Sequence, residues 1–138
     1  MKRIDAYLFF ENNCREAMTY YQQVLGGELN LTIVGESPVA EQLPPEMKDN
    51  VLHGKLINDN VVLMASDNCM GAPLDKGRNF SLSLSCSNEE EVHSLYAKLA
   101  DSGEAVSPPK TEFWGDVFGM LVDKFGISWM LNYRPEKQ

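Results

Sequence analysis

Ile4-Asp5-Ala6-Tyr7-Leu8-Phe9-Phe10, Glu11-Asn12-Asn13, Cys14-Arg15-Glu16-Ala17-Met18-Thr19-Tyr20-Tyr21-Gln22-Gln23-Val24-Leu25, Gly26-Gly27: in that order, residues 4–27 read as strand, turn, helix and stop. The first seven alternate and are rich in apolar and aromatic side chains, the pattern of a strand. Asn12-Asn13 offers N-cap chemistry, and Ala17, Met18, Tyr21, Val24 and Leu25 recur at helical spacing, so a helix is predicted over 14–25. Gly26-Gly27 ends it, because glycine accepts the left-handed conformation of a helix C-cap.

Working outward, Glu28 to Val34 reads as a strand and the proline-containing run from Gly35 to Asn50 as a loop. Val51 to Ile57 and Val61 to Ser66 read as strands around the turn signal Asn58-Asp59-Asn60. Asp67 to Asn79, with Gly71, Pro73 and Gly77, reads as a linker, after which the order repeats. Phe80 to Cys86 alternates as a strand. Asn88 precedes Glu89-Glu90-Glu91, acids favoured at a helix start, and Val92, Leu95, Tyr96 and Leu99 form the apolar stripe of that helix. Ser102-Gly103 stops it. Glu104 to Ser107 is a short strand before Pro108-Pro109, and Val117 to Val122 and Ile127 to Tyr133 close the chain around Asp123-Lys124-Phe125-Gly126. Laid on each other, the halves place Asn88 on Asn12, Tyr96 on Tyr20, Gly103 on Gly27 and Met130 on Met64. The expectation is one α+β domain over 1–138 made of two βαβββ modules, about 1–67 and 80–134, with a linker at about 68–79.

The bulk composition narrows the partners. A chain of 138 residues with 43% hydrophobic side chains can bury a core. The formal charge of −8 repels phosphate backbones and anionic bilayers, so no nucleic-acid and no membrane partner is expected. No segment has the length and apolarity of a signal peptide or a bilayer span. The three cysteines, Cys14, Cys69 and Cys86, have no C-x-x-C spacing, which suits a reducing cytoplasm. Cys14 stands near a helix start, where it is either a stabilised thiolate or a small buried hydrophobe.

Several stretches carry a resemblance: Ala6-Tyr7-Leu8-Phe9-Phe10, Cys14-Arg15-Glu16-Ala17, Tyr21-Gln22-Gln23-Val24-Leu25-Gly26-Gly27, Met64-Ala65-Ser66-Asp67, Phe113-Trp114-Gly115-Asp116-Val117-Phe118-Gly119-Met120, and Asp123-Lys124-Phe125-Gly126-Ile127-Ser128-Trp129-Met130-Leu131-Asn132. Together they resemble the PhnB-like branch of the glyoxalase/bleomycin-resistance/dioxygenase (vicinal oxygen chelate) superfamily, over nearly the whole chain. The resemblance implies paired βαβββ modules, an eight-stranded mixed sheet curled into a cup with helices outside, and a homodimer. Metal-using members place four ligands in the cup. Here the last-strand ligand positions fall on Met64 and Met130, and the first-strand positions on Asp5 and Ser81, or one residue later on Ala6 and Phe80. Thioethers are soft, weak ligands for the ions such sites hold, so no metal and no other cofactor is expected. A methyltransferase label often attached to this branch finds no glycine-rich strand-to-helix turn for a methyl donor in this sequence.

Strand alternation nominates the cup lining. Ile4, Ala6, Leu8 and Phe10 are expected against the first helix, which turns Asp5, Tyr7 and Phe9 inward. Phe80, Leu82, Leu84 and Cys86 are expected against the second, which turns Ser81, Ser83 and Ser85 inward, either as ligand contacts or as small spacers. His53 falls opposite Met64 or Ser66 if two residues make the first hairpin turn. There it is either an acid, base or hydrogen-bond donor or a structural histidine. Trp114, near the rim, stacks on a ligand or clamps a partner copy. Trp129 points the other way from Met130, into the core, and His93 lies on the charged face of its helix. The loop over 36–50 is a lid or a plain surface loop. Two functions fit. One is capture of a small, partly apolar and, given the net charge, cationic molecule. The other is a lyase, isomerase or dioxygenase type of enzyme with unusual metal ligands or with His53 as acid/base.

Overall fold

The computed structural model describes residues 2–69 and 71–135. The chain divides between Lys76 and Gly77 into two units, inside the expected linker. In the first unit, β1 (Ala6–Phe10), α1 (Cys14–Leu25) and β2 (Glu28–Ile33) are followed by three single 3-10 turns. β3 (Val51–Asn58) and β4 (Val61–Asp67) complete it. The second unit runs β5 (Leu82–Ser85), α2 (Glu89–Ala100), β6 (Glu104–Thr111), β7 (Val117–Val122) and β8 (Ser128–Tyr133). The sheets have the same order, β1-β4-β3-β2 and β5-β8-β7-β6. In both, the first strand pairs parallel to the last and the other neighbours are antiparallel. The repeat expected from element order is therefore present strand for strand. Among the described residues no helix is long and apolar enough to cross a membrane.

Each helix covers one sheet face. Ala17, Met18 and Tyr21 of α1 are buried together with Leu8, Phe10, Leu56, Leu63 and Ala65 of the first sheet. Val92, Tyr96 and Leu99 of α2 are buried with Val117, Leu121, Trp129 and Leu131 of the second. Removing this apolar surface from water is the main force holding each sheet to its helix. The matched glycines have a shared cause. A Cβ on Gly27 would stand 2.4 Å from the carbonyl oxygen of Ile57, and one on Gly103 would stand 2.3 Å from that of Val122. Each glycine lets the chain leaving the helix pass close against the end of an inner strand, β3 or β7.

The hairpins differ. Asn58 pairs with Val61, so Asp59-Asn60 is a two-residue turn. Between β7 and β8 the turn is longer and is organised by Asp123. Its carboxylate accepts from the backbone N–H groups of Phe125 (2.8 Å) and Ile127 (3.1 Å) and from Trp129 Nε1 (2.8 Å). Trp129 is buried, as its alternation with Met130 requires.

Several expectations need correction. Ile4 does not pack on the first helix but is 99% exposed, since it precedes the first ladder pair, Ala6–Leu63, and a residue outside the ladder has no assigned face. Phe80 is likewise 63% exposed, ahead of the pair Leu82–Trp129. β6 does not stop at Ser107 but continues through Pro108-Pro109 to Thr111. It is an edge strand with register shifts, where a missing N–H costs no ladder bond. Asp67 does not begin the linker: it is the buried last residue of β4. The halves also align differently at the helix. α1 starts four residues past Phe10 and α2 three past Cys86, so Asn88 matches Asn13 and Tyr96 matches the buried Tyr21.

Candidate functional site

The face of the first sheet turned away from α1 carries the candidate site. The ladders pair Tyr7 with Met64, Phe9 with Ser66, Lys55 with Met64 and Thr32 with His53. Paired residues share a face, so these side chains are gathered opposite the core residues Leu8, Leu56, Leu63 and Ala65. The β3–β4 ladder runs to Gly54–Ala65, so Ser66 is next to fall opposite His53. Tyr7 and Phe9 remain 40% and 45% exposed, against 5% for Leu8 between them.

The polar groups of this face touch. Tyr7 Oη lies 3.1 Å from His53 Nδ1, with ring centroids 5.7 Å apart. The Tyr7 and Phe9 rings lie 5.1 Å apart. Partial burial, assisted by the nearby Cys14 and Cys69 sulfurs, raises the pKa of the Tyr7 phenol despite a hydrogen bond with Ser66. Tyr7 is thus a neutral donor at ordinary pH. Ser66 is buried, and its Oγ donates to the carbonyl oxygen of Asp67 at 2.6 Å. Asp5 stands just ahead of β1, with its carboxylate held by Arg3 at 2.9 Å.

The matching face of the second sheet is different. Ser83 pairs with Met130, Ser85 with Asn132, Met120 with Met130 and Phe118 with Asn132. Ser81 precedes β5 and is half-buried. Trp114 lies in the β6–β7 turn, half-exposed, with Phe113 edge-on at 4.8 Å and Phe118 at 6.3 Å. Beside it, burial opposes ionisation of Asp116, but bonds from Arg134, Asn132 and Trp114 outweigh that and lower its pKa. Arg134 Nε donates to Asp116 at 3.1 Å. His93 is on the exposed side of α2, 3.8 Å from Glu89.

The positions that the resemblance assigns to metal ligands carry weak donors for hard divalent ions. Met64 and Met130 offer thioethers, and Asp5 is engaged by Arg3. Ser81, Ala6 and the exposed Phe80 are not ligands of hard divalent ions. Among the described residues no group of three or more His, Cys, Asp or Glu converges as a metal site. Nor is Cys14 a nucleophile. It is fully buried, and burial, followed by the charge of Asp67, pushes its thiol up to about 12. Burial likewise pushes Cys86 to about 11. A separate open groove of about 440 Å³ is bordered by Glu11, Asn12, Met47, Asn68 and residues 71–74. Its carboxylate is already occupied, since Glu11 accepts from Asn68 at 3.0 Å and from Leu74 N at 2.8 Å.

Lys55 was missed by the sequence reading. The alternation that turns His53 onto this face turns Lys55 with it, so the signal was present. Asp67 was missed for another reason. Its carboxylate accepts from Cys14 N (2.9 Å) and Val51 N (2.8 Å), linking the start of α1 to the start of β3 from 53 and 16 residues away. No local pattern announces such a bond.

A family model described as 3-demethylubiquinone-9 3-methyltransferase matches residues 2–132. Protein YjdN of Escherichia coli (strain K12) is 33% identical over 140 residues, covering 94% of this chain and 93% of the relative. Protein PA1353 from Pseudomonas aeruginosa is 36% identical with a TM-score of 0.88, covering 99% of this chain and 100% of that one. A putative 3-demethylubiquinone-9 3-methyltransferase, PhnB protein, from Bacillus cereus is 24% identical with a TM-score of 0.75, covering 96% and 99%. Solved glyoxalase/bleomycin-resistance and related proteins share the fold at TM-scores of 0.65, 0.67 and 0.68. With its repeated βαβββ sheets and a match along almost its whole length, the chain belongs to the family described as 3-demethylubiquinone-9 3-methyltransferase and shares the fold of solved glyoxalase/bleomycin-resistance proteins.

Proposed function

We propose that this protein binds a small, partly apolar molecule on the open face of its first sheet, without a metal ion. The observation that carries this reading is the Tyr7–Phe9–His53 cluster. Two half-exposed aromatic rings and a hydrogen-bonded imidazole stand on a sheet whose other face is sealed by α1. Aromatic surface with a few fixed polar groups is the usual composition of a small-molecule site. The thioethers at the family's ligand positions argue against a hard divalent ion there. The methyl transfer in the family description has no support in the strand-to-helix turns. Glu11-Asn12-Asn13 and Cys86-Ser87-Asn88 contain no glycine, so neither backbone can approach a methyl donor as a glycine-rich turn does.

The test is a thermal-shift screen of small molecules on wild type and His53→Ala, with and without a chelator. The expected result is a stabilising ligand whose effect survives chelation and whose binding weakens by about 1–3 kcal/mol in His53→Ala. A ligand effect abolished by chelation, or near-stoichiometric Zn, Ni, Mn or Fe in dialysed protein, would overturn the metal-free reading. A second reading, an enzyme with His53 as acid or base, is favoured by the Tyr7–His53 bond, which orients the ring. It requires turnover that His53→Ala abolishes.

We also propose a homodimer. The sheets end on edge strands β1 and β2, and β5 and β6, and Ile4 and Phe113 expose 99% and 95% of their surface. Sedimentation equilibrium at micromolar concentration should exceed the 15.5 kDa of one chain. A monomer mass alone would overturn the proposal.

A further inference from the structure

We infer that Ser66 and Tyr7 hold His53 in its Nδ1–H tautomer, so that the first sheet's open face presents a bare Nε2 beside Lys55 and takes a small apolar molecule by a hydroxyl group. This rests on the binding face proposed above and names its ligand class. The direction of each bond follows from counting protons. A carbonyl oxygen can only accept, so the 2.6 Å contact from Ser66 Oγ to the carbonyl oxygen of Asp67 uses the one hydroxyl proton of Ser66. In its hydrogen bond with Tyr7, Ser66 is then the acceptor and Tyr7 the donor. With its proton spent there, Tyr7 Oη meets His53 Nδ1 at 3.1 Å as an acceptor, and the ring proton sits on Nδ1. A neutral imidazole carries one N–H, which leaves Nε2 an acceptor.

The neighbours of Nε2 set what it takes. A carboxylate would bring only lone pairs to a nitrogen that needs a proton. An ammonium would bring protons, but Lys55 stands two residues along β3 on the same face, opposite Met64, and repels a second cation. A hydroxyl satisfies both groups at once, giving its proton to Nε2 and accepting from the Lys55 amine. The other ladder neighbours, Thr32 and Met64, add no charge, and Asp5 is paired with Arg3 at 2.9 Å. The net charge of −8 is spread over the whole surface and screened beyond about 8–10 Å in ordinary salt, so the groups in contact decide. The half-exposed Tyr7 and Phe9 rings supply the apolar wall for the rest of the molecule.

The experiment is nitrogen-15 NMR of the histidine rings in wild type and Ser66→Ala, without any ligand and above the pH at which His53 titrates, followed by titration with phenol and with anisole. These probes share a ring and differ in the hydroxyl proton. In wild type, His53 should show a protonated Nδ1 and a bare Nε2. In Ser66→Ala the Tyr7 proton is released to Nδ1, so the ring proton should shift toward Nε2, a change that a merely structural Ser66 would not produce. Phenol should perturb His53 Nε2 and the Phe9 ring. It should bind at least about fivefold more tightly than anisole, and about fivefold less tightly to Lys55→Met than to wild type. A protonated Nε2 in wild type would overturn the tautomer and with it the ligand class, and that spectrum decides even if Ser66→Ala does not fold. An unchanged tautomer in folded Ser66→Ala would overturn the relay through Tyr7, and unchanged phenol affinity in Lys55→Met would overturn the part given to Lys55. Anisole binding this face as tightly as phenol would overturn the ligand class and leave the binding face standing. If neither probe perturbs any residue of the face, both the ligand class and the binding face fall.

Discussion

The two modules share a strand order and pairing scheme but differ in where each finds the groups that finish it. At the start of α2, Asn88 caps locally: its side chain accepts from Glu91 N at 2.8 Å, and Glu91 reaches back to Ser87 N at 3.0 Å. At the start of α1, Asn13 makes no side-chain cap bond, and the carboxylate of Asp67 serves Cys14 N from the far end of β4. The open sheet faces differ in the same sense. The first gathers a phenol, an imidazole and an amine (Tyr7, His53, Lys55), while the second offers two methionines, a phenylalanine and serines at matching ladder positions. One topology thus supports two chemistries, because the ladder fixes which positions face outward and leaves their side chains free.

The caps give the sharpest way to test this contrast. Asp67→Ala should be the most damaging change. It strands two buried N–H donors and detaches the start of α1 from β3, at an expected cost of roughly 3 kcal/mol in denaturant unfolding. A loss under about 1 kcal/mol would mean water replaces the carboxylate and that α1 is no more dependent on distant residues than α2. Asn88→Ala removes one exposed local cap and should cost about 1 kcal/mol. A larger loss than that of Asp67→Ala would invert the comparison, making the second module the one with the critical helix start.

Much of the architecture was legible from neighbours in sequence. The helix limits at Cys14 and Leu25, the glycine stops and the two-residue hairpin at Asp59-Asn60 each follow from periodicity or turn chemistry within a few residues. The placement of Tyr7, Phe9, Met64 and His53 on one face followed from alternation once the hairpin length was known. Alternation failed at Ile4 and Phe80, where the ladder ends and the chain is no longer held to a pleat. The offset between the helices was misread because one inserted residue before α1 leaves Asn12 and Asn13 indistinguishable as caps.

By itself the sequence determined the repeat, the order of strands and helices, the acidic composition and the methionines Met64 and Met130 at matching positions of the two halves. These are properties of short windows and of composition, and they survive without knowing what lies across the sheet. Only the tertiary structure decided that Asp67 closes α1, that Asp123 holds the Trp129 indole, and that the Tyr7 hydroxyl meets His53 Nδ1 across 46 residues. A hydrogen bond depends on the separation and direction of two atoms to within a fraction of an ångström. Side-chain periodicity specifies a face, and only the packed sheet brings particular atoms on that face into contact.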